Sequence, residues 1–299
     1  MMEFRNISEF TPPDSGIAIT LGRFDGVHVA HRALLERTVS FAHRNRLAPV
    51  CFSFCQGSCG HPEPYDCLTT DEEKIHLIEN TGIEMLLHSP FEPPLIDTEP
   101  DVFVESFLIH RWKARFITVG YDFRFGKNRA GDSDFLKRLA THCGATVEIL
   151  DPVKIDGEIV KATTIRMLLR EGKISRANAF LGRPYSLTQR QVPGRHLGAR
   201  IGFPTINFEW PDAKVMVPYG VYAVRIGTAA SDVLADGVAG FGLRPTVEKD
   251  RPTPILEVHM PDSNPLPELL APSEAPDKSS PSSSTSTSGR KRNSTPSRD

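Results

Sequence analysis

Ile17-Ala18-Ile19-Thr20-Leu21-Gly22-Arg23-Phe24-Asp25-Gly26-Val27-His28-Val29-Ala30-His31 is the stretch on which the fold turns. Its first five residues are a short apolar run of strand character. A loop with two glycines follows, and from His31 to Asn45 the pattern is helical. A strand that turns into a helix leaves free backbone N–H groups at the turn, and together with the helix dipole they favour an anion. His28 and His31, three apart, can point at one phosphate. His-x-x-His by itself is equally a surface loop with two incidental histidines.

The same alternation runs outward from this stretch. Val50–Phe52 reads as a strand. Thr70-Asp71-Glu72-Glu73 has the Ser/Thr-x-x-Glu form of a capping box and opens a helix to about Asn80. Met85–Leu87 is strand-like, and Pro100 opens a helix with Phe103, Val104, Phe107 and Leu108 on one face. Phe116–Val119 is a strand, Ser133–His142 a helix, Val147–Leu150 a strand and Thr164–Arg170 a helix. Alternating units of this kind predict an α/β fold with a parallel sheet covered on both faces, its ligand site beyond the carboxyl ends of the strands. From about Arg183 the pattern becomes β, with strands at Tyr219–Ile226, Val233–Phe241 and Ile255–Val258 in a small barrel or sandwich.

Composition excludes several classes. A net charge of −2 gives no electrostatic reason to expect nucleic acid or a membrane surface as partner. No run approaches the roughly 20 apolar residues that span a bilayer, and Met1–Arg5 does not begin a secretion signal. The expected location is the cytoplasm. Residues 263–299 hold 11 Ser, 6 Pro and no aromatic residue, a composition that predicts disorder. Cys51, Cys55, Cys59 and Cys67 lie close together with His61 among them. Thiolates and imidazole suit zinc. With no Cys-x-x-Cys pair, and Cys51 in a predicted strand, the preferred reading is small side chains in a reducing compartment, without zinc.

Four motifs in order carry a resemblance. They are Gly22–His31, then Val119-Gly120-Tyr121-Asp122-Phe123-Arg124-Phe125-Gly126 with Gly131-Asp132, then Thr163-Thr164-Ile165-Arg166, then Leu181-Gly182-Arg183-Pro184-Tyr185. Together they resemble the bacterial bifunctional riboflavin kinase/FAD synthetase family. The resemblance implies a Rossmann-like nucleotidyltransferase domain at 1–182 that adenylylates FMN with ATP, giving FAD and pyrophosphate, with Mg2+ bridging the phosphates. His28, His31 and Arg166 would be the catalytic residues. Gly22, Phe24, Asp25, Gly26, Asp122, Phe123, Arg124, Phe125, Thr163 and Thr164 would bind ATP or FMN. For Phe123 and Phe125, core packing is an equal alternative to flavin stacking. The chain departs from the family pattern at Arg23, at Ala30, at Lys161-Ala162 and at Phe54-Cys55-Gln56.

A second set of motifs resembles the family's riboflavin kinase module: Gly194–Gly198, Gly202-Phe203-Pro204-Thr205-Ile206-Asn207, Gly220–Ala223 and Gly242-Leu243-Arg244-Pro245-Thr246. Thr205 and Asn207, two apart on a strand, face one side. The resemblance makes them Mg2+ ligands beside Gly198, Pro204, Arg244 and Thr246. After Ile255–His259 the match stops, leaving an incomplete riboflavin-kinase-type β-barrel at 183–262. The family's Arg-x-Glu-x-Lys-Phe segment, with its base glutamate, is missing. Codon degeneracy lets Thr287–Asp299, read in a shifted frame, encode Leu-Arg-Pro-Glu-Thr-Lys-Phe-Asp-Ser-Leu-Glu-Gly. A frameshift between His259 and about Pro281 is therefore expected, in preference to an evolved tail whose basic Gly289–Arg292 tract binds something acidic. Three functions follow. They are an FMN adenylyltransferase with its kinase activity lost, an intact bifunctional enzyme whose true C-terminus is out of frame here, and a non-catalytic flavin or nucleotide binder.

Overall fold

The computed structural model describes residues 1–55, 66–90, 95–192, 205–228, 231–243 and 254–260. Gly198, Pro204, Arg244, Thr246, Cys59, His61 and the predicted 263–299 tail lie outside these ranges.

The chain opens with β1 (Met2–Phe4) and β2 (Ile17–Leu21), then α1 (Val29–Asn45), β3 (Ala48–Phe54), α2 (Asp71–Glu79) and β4 (Met85–Ser89). A short α3 (Pro100–Val102) runs on as a π-helix, Phe103–Arg111, and β5 (Ala114–Gly120) follows. After β6 (Arg124–Phe125) and β7 (Gly131–Asp132) come α4 (Ser133–His142), β8 (Thr146–Leu150), β9 (Lys154–Ile155) and β10 (Glu158–Ile159). Two helices, α5 (Ala162–Arg170) and α6 (Ile174–Leu181), complete the α/β part. The remaining strands are β11 (Thr205–Glu209), β12 (Gly220–Thr228), β13 (Ser231–Leu243) and β14 (Pro254–His259).

The parallel sheet has the order β1-β4-β3-β2-β5-β8. The chain moves outward from β2 to β3 and β4, then returns to the other side of β2 as β5. β2 and β5 therefore flank a topological switch point, where a ligand crevice opens at the carboxyl ends of the strands. All five residues of β2 are buried, as expected of a central strand covered on both faces. Ile17, Ile19 and Leu21 face one core with Trp112, Leu108 and Phe52. A second core, on the α1 side, gathers Phe24, Val27, Leu35, Cys51 and Ile78.

Several expectations change in detail. The first helix begins at Val29, two residues before His31, because His28 caps it. Phe103, Val104 and Leu108 are buried as the periodicity requires, but the turns widen, and the Trp112 N–H bonds the Phe107 carbonyl five residues back. Phe103 and Phe107 each meet Trp112 edge to face across this wider turn. The capping box forms as predicted: Thr70 Oγ1 accepts the Glu73 N–H and Glu73 accepts the Thr70 N–H. β1 and α6 are additional elements.

The second region is a smaller antiparallel sheet, in the order β11-β14-β13-β12. Ile206, Phe208, Val224, Leu256 and Val258 line one face of it. Trp210, Val215, Val217 and Phe241 pack instead with Leu68, Ile165, Leu168 and Phe180 of the α/β part. Among the described residues no helix is long and apolar enough to cross a membrane.

Candidate functional site

The loop after β2 is wound tightly. Phe24, Gly26 and Val27 have φ of 50°, 79° and 38°. Left-handed backbone at Phe and Val costs energy and persists only where the surroundings over-determine it. Here they do, since Phe24 and Val27 are driven fully into the second core. At Gly26 a side-chain carbon would lie 2.7 Å from Leu68 Cδ1, so only glycine fits both the angle and the space.

Asp25 is the anchor of this loop. Its Oδ1 accepts the Leu68 and Thr69 N–H groups at 2.9 and 3.3 Å, and its Oδ2 meets Arg166 Nη2 at 2.5 Å. Thr69 Oγ1 accepts the Gly26 N–H at 3.1 Å. Arg166 projects from α5 and donates its Nε to the Asp66 carbonyl at 2.6 Å. The loop, residues 66–69 and α5 are thus one hydrogen-bonded unit.

Above the anchor, His28 Nδ1 accepts the His31 N–H at 3.3 Å and so caps α1. With Nδ1 an acceptor, the ring proton sits on Nε2. The two imidazoles stack, with centroids 3.6 Å apart and planes at 16°. Burial, then the charges of Arg183 and Arg166, push the His28 pKa down to about 4. Burial and His28 hold His31 well below its usual value. Both rings are therefore neutral donors at neutral pH. His31 Nδ1 is buried with no hydrogen-bond partner.

The loop after β5 lies along the same sheet edge. Asp122 is exposed and 3.6 Å from Lys161, the residue preceding α5. Thr163 is exposed and Thr164 half-buried at the start of that helix. Phe123 is half-buried and stacks on Phe125 at 5.5 Å. Phe125 itself is buried against Phe103 and Phe135. Arg124 turns outward and pairs with Asp132 at 3.2 Å. Gly22, Phe24, Asp25, Gly26, His28, His31 and Arg166 are brought together, whereas Asp122–Phe125 stand at the neighbouring strand end. Sequence reasoning missed Thr69 and Arg183. The latter lay inside a quoted motif, and its Nη1 reaches the Val27 and Leu181 carbonyls at 3.4 and 3.5 Å.

The cysteines separate. Cys51 is buried in β3 and Cys67 bridges to Lys214, with burial pushing the Cys67 thiol up to about 12. Cys55, Asp71 and His88 bring ligand atoms within 4.8 Å of one another. Lys74 Nζ already stands 3.1 Å from Asp71 Oδ1, so an ammonium supplies positive charge there.

On β11, Thr205 is exposed and Asn207 buried, on the face opposite Ile206 and Phe208. Asn207 Oδ1 is buried without a hydrogen-bond partner. An orphaned amide oxygen fits a hard cation such as Mg2+.

The FAD synthetase family model matches residues 11–164, and the riboflavin kinase model matches 181–268. The chain is similar to the bifunctional riboflavin kinase/FMN adenylyltransferase of Escherichia coli K12, 31% identical over 260 residues, covering 84% of this chain and 80% of that protein. The Pseudomonas fluorescens protein of the same description is 31% identical over 274 residues, 88% of this chain and 84% of the relative. A solved chain described as a macrolide-efflux protein from Streptococcus pneumoniae superposes with a TM-score of 0.76 at 24% identity, covering 88% of this chain and 85% of that one, a likeness of fold alone. Two family models in succession over most of the chain, and relatives above 30% identity across four-fifths of both lengths, establish that this chain belongs to the bacterial bifunctional riboflavin kinase/FMN adenylyltransferase (FAD synthetase) family, enzymes of riboflavin and FAD metabolism.

Proposed function

We propose that this chain transfers AMP from ATP to FMN, giving FAD and pyrophosphate, in the cytoplasm and on small-molecule substrates alone. The observation that carries this reading is the neutral, stacked His28–His31 pair at the N-terminus of α1, with Arg166 beside it. Neutral imidazoles, backbone N–H groups and a guanidinium make a donor-rich site for a polyphosphate.

An FMN phosphate oxygen attacks the α-phosphorus of ATP. The bond from that phosphorus to the bridging oxygen breaks, and pyrophosphate leaves with the electron pair. No side-chain nucleophile is needed. His28 donates from Nε2 to a phosphate oxygen, and His31 lies alongside. Arg166 offsets the charge that grows on the leaving group. Asp25 acts through the loop, holding Gly22–Gly26 and Arg166 in place. Asp122, Phe123, Arg124, Thr163 and Thr164 border the nucleotide and flavin at the same sheet edge. Phe125 supports Phe123 from the core. Bound Mg2+ would neutralise phosphate charge.

The second region, 183–262, is proposed to be a riboflavin kinase module in which Thr205 and Asn207 would hold Mg2+, with its closing segment read out of frame in 263–299. The riboflavin kinase match ends at 268, in keeping with this. Kinase activity is then lost from this polypeptide, while an intact enzyme would exist if the coding frame were restored. The purified chain is supplied with ATP, Mg2+ and either FMN or riboflavin, and products are separated by chromatography. FAD from FMN, with no FMN from riboflavin, is the expected result. FMN from riboflavin overturns the loss of kinase activity. Nucleotide binding with neither product overturns the adenylyltransferase reading. Sequencing the DNA at codons 287–299 tests the frameshift directly.

A further inference from the structure

Arg183 follows Gly182, the left-handed residue that ends α6 (φ 71°). A side-chain carbon on Gly182 would stand 2.7 Å from Val29 Cγ1. The end of α6 is therefore pressed onto the first residue of α1, which brings Arg183 to the N-terminus of that helix. Its Nη1 makes only long contacts, to the Val27 and Leu181 carbonyls. Its Nε is buried with no hydrogen-bond partner. Among the described residues no carboxylate lies within 4.0 Å of it. The nearby Glu73 is already held by Lys214 and by the Thr70 and Thr188 N–H groups.

A guanidinium withdrawn from water without a counter-ion is costly, and proteins seldom keep one without a use. Burial lowers the pKa of Arg183 to about 10, and its charge in turn depresses the pKa of His28. Among the described residues Glu73 is the one carboxylate whose charge reaches Arg183, and the other charges acting on Arg183 or on its neighbour His28 are the cations Arg32 and Arg166. With the free N–H groups at the start of α1 beside it, the orphaned Nε is placed to take a bound anion.

We propose that Arg183 is a substrate-binding residue that grips the β- and γ-phosphates of the nucleotide and stays with them as pyrophosphate departs. Its fork can pair with two phosphate oxygens at once, which a lysine cannot do. The proposal rests on the adenylyltransferase reading for the identity of the anion. It also makes the site composite, because Arg183 falls in the riboflavin kinase match while His28 and His31 fall in the FAD synthetase match.

The probe is inorganic pyrophosphate, titrated calorimetrically into the full chain and into the R183M, R183Q and R183K variants. R183M and R183Q are expected to weaken pyrophosphate about 10–100-fold, the worth of a charge-assisted hydrogen bond to a charged group. R183K should recover part of the loss, since it keeps the charge but not the fork. FMN affinity should stay within about twofold in each variant, because the lost bonds go to the other substrate. If R183M does not fold, R183Q and R183K carry the comparison. Unchanged pyrophosphate affinity overturns the proposal, as does an equal loss of FMN and pyrophosphate binding. Arg183-dependent pyrophosphate binding in a wild-type chain that makes no FAD would uphold the anion site while overturning the proposed function.

Discussion

Lys214→Met tests how the two regions depend on each other. Lys214 is 2% exposed and Glu73 6%. Lys214 Nζ is hydrogen-bonded to Glu73 Oε2, donates to the Ser186 carbonyl at 2.6 Å, and lies 5.0 Å from the centre of the Tyr185 ring. Methionine keeps the stem but deletes the charge. Removing one partner of a buried pair costs about 3–5 kcal/mol, because the other charge is left uncompensated. Glu73 retains two N–H donors, from Thr70 at 2.9 Å and Thr188 at 2.8 Å. That places the expected loss at the low end, about 3 kcal/mol. The E73Q/K214M double variant should be less destabilised than the two single losses summed, with a coupling of at least about 1 kcal/mol. Urea unfolding of the full chain measures this as a fall in midpoint of about 1 M or more at constant slope. The rate of FAD formation should fall in parallel, since Cys67 is bridged to Lys214 while Leu68 and Thr69 hold Asp25. A loss under about 1 kcal/mol, or strict additivity in the cycle, would refute the view that this pair fastens the site loop to the second region.

The buried histidines make the fold acid-sensitive. His28 titrates near 4 when folded and near 6.5 when unfolded, so between those values the unfolded chain binds more protons and stability falls as pH drops. Its share is about 3 kcal/mol, lost between pH 6.5 and 4; melting temperatures across that window should fall, and H28N should flatten the fall. Gly26→Ala should cost about 1–3 kcal/mol and abolish most FAD synthesis, because a side chain there combines positive φ with a contact to Leu68; thermal melts and product assays report both. Phe125→Ala should destabilise by about 3–5 kcal/mol, as a buried aromatic does, with little change in KM for FMN. A raised KM in a stable F125A protein would instead assign that ring to the flavin.

Much of the α/β architecture is written locally. Thr70 and Glu73 are three apart and close a capping box that needs no distant partner. β2, β3 and β5 are apolar runs because both faces of a central parallel strand are covered. β1 escaped because Met2-Glu3-Phe4 has no pattern of its own and becomes a strand only by pairing with Met85–Leu87. α6 escaped because Lys173 before it provides no side-chain cap. The widened turn at Phe103–Arg111 answers to the aromatic cluster it packs against, and a period of 3.6 cannot register that.

The site divides in the same way. Gly22–His31 and Thr163–Arg166 are contiguous strings whose chemistry can be read in order. Asp25 looked like a ligand residue from its place in the first string, yet its carboxylate is consumed by Leu68, Thr69 and Arg166. Its contribution is therefore geometric: it fixes the spacing between the Gly22–Gly26 turn and the guanidinium of α5. That spacing depends on residues 66–70, which the Glu73–Lys214 pair, 141 positions apart in sequence, anchors to the connection between β11 and β12. Arg183 arrives from the same direction, through the contact of Gly182 with Val29. In the proposed function the histidine motif sets what kind of ligand the turn accepts. The fastening of that turn comes from Lys214, far along the chain and in no motif, whereas Arg183 sat in a quoted motif whose letters do not say that its side chain reaches the start of α1.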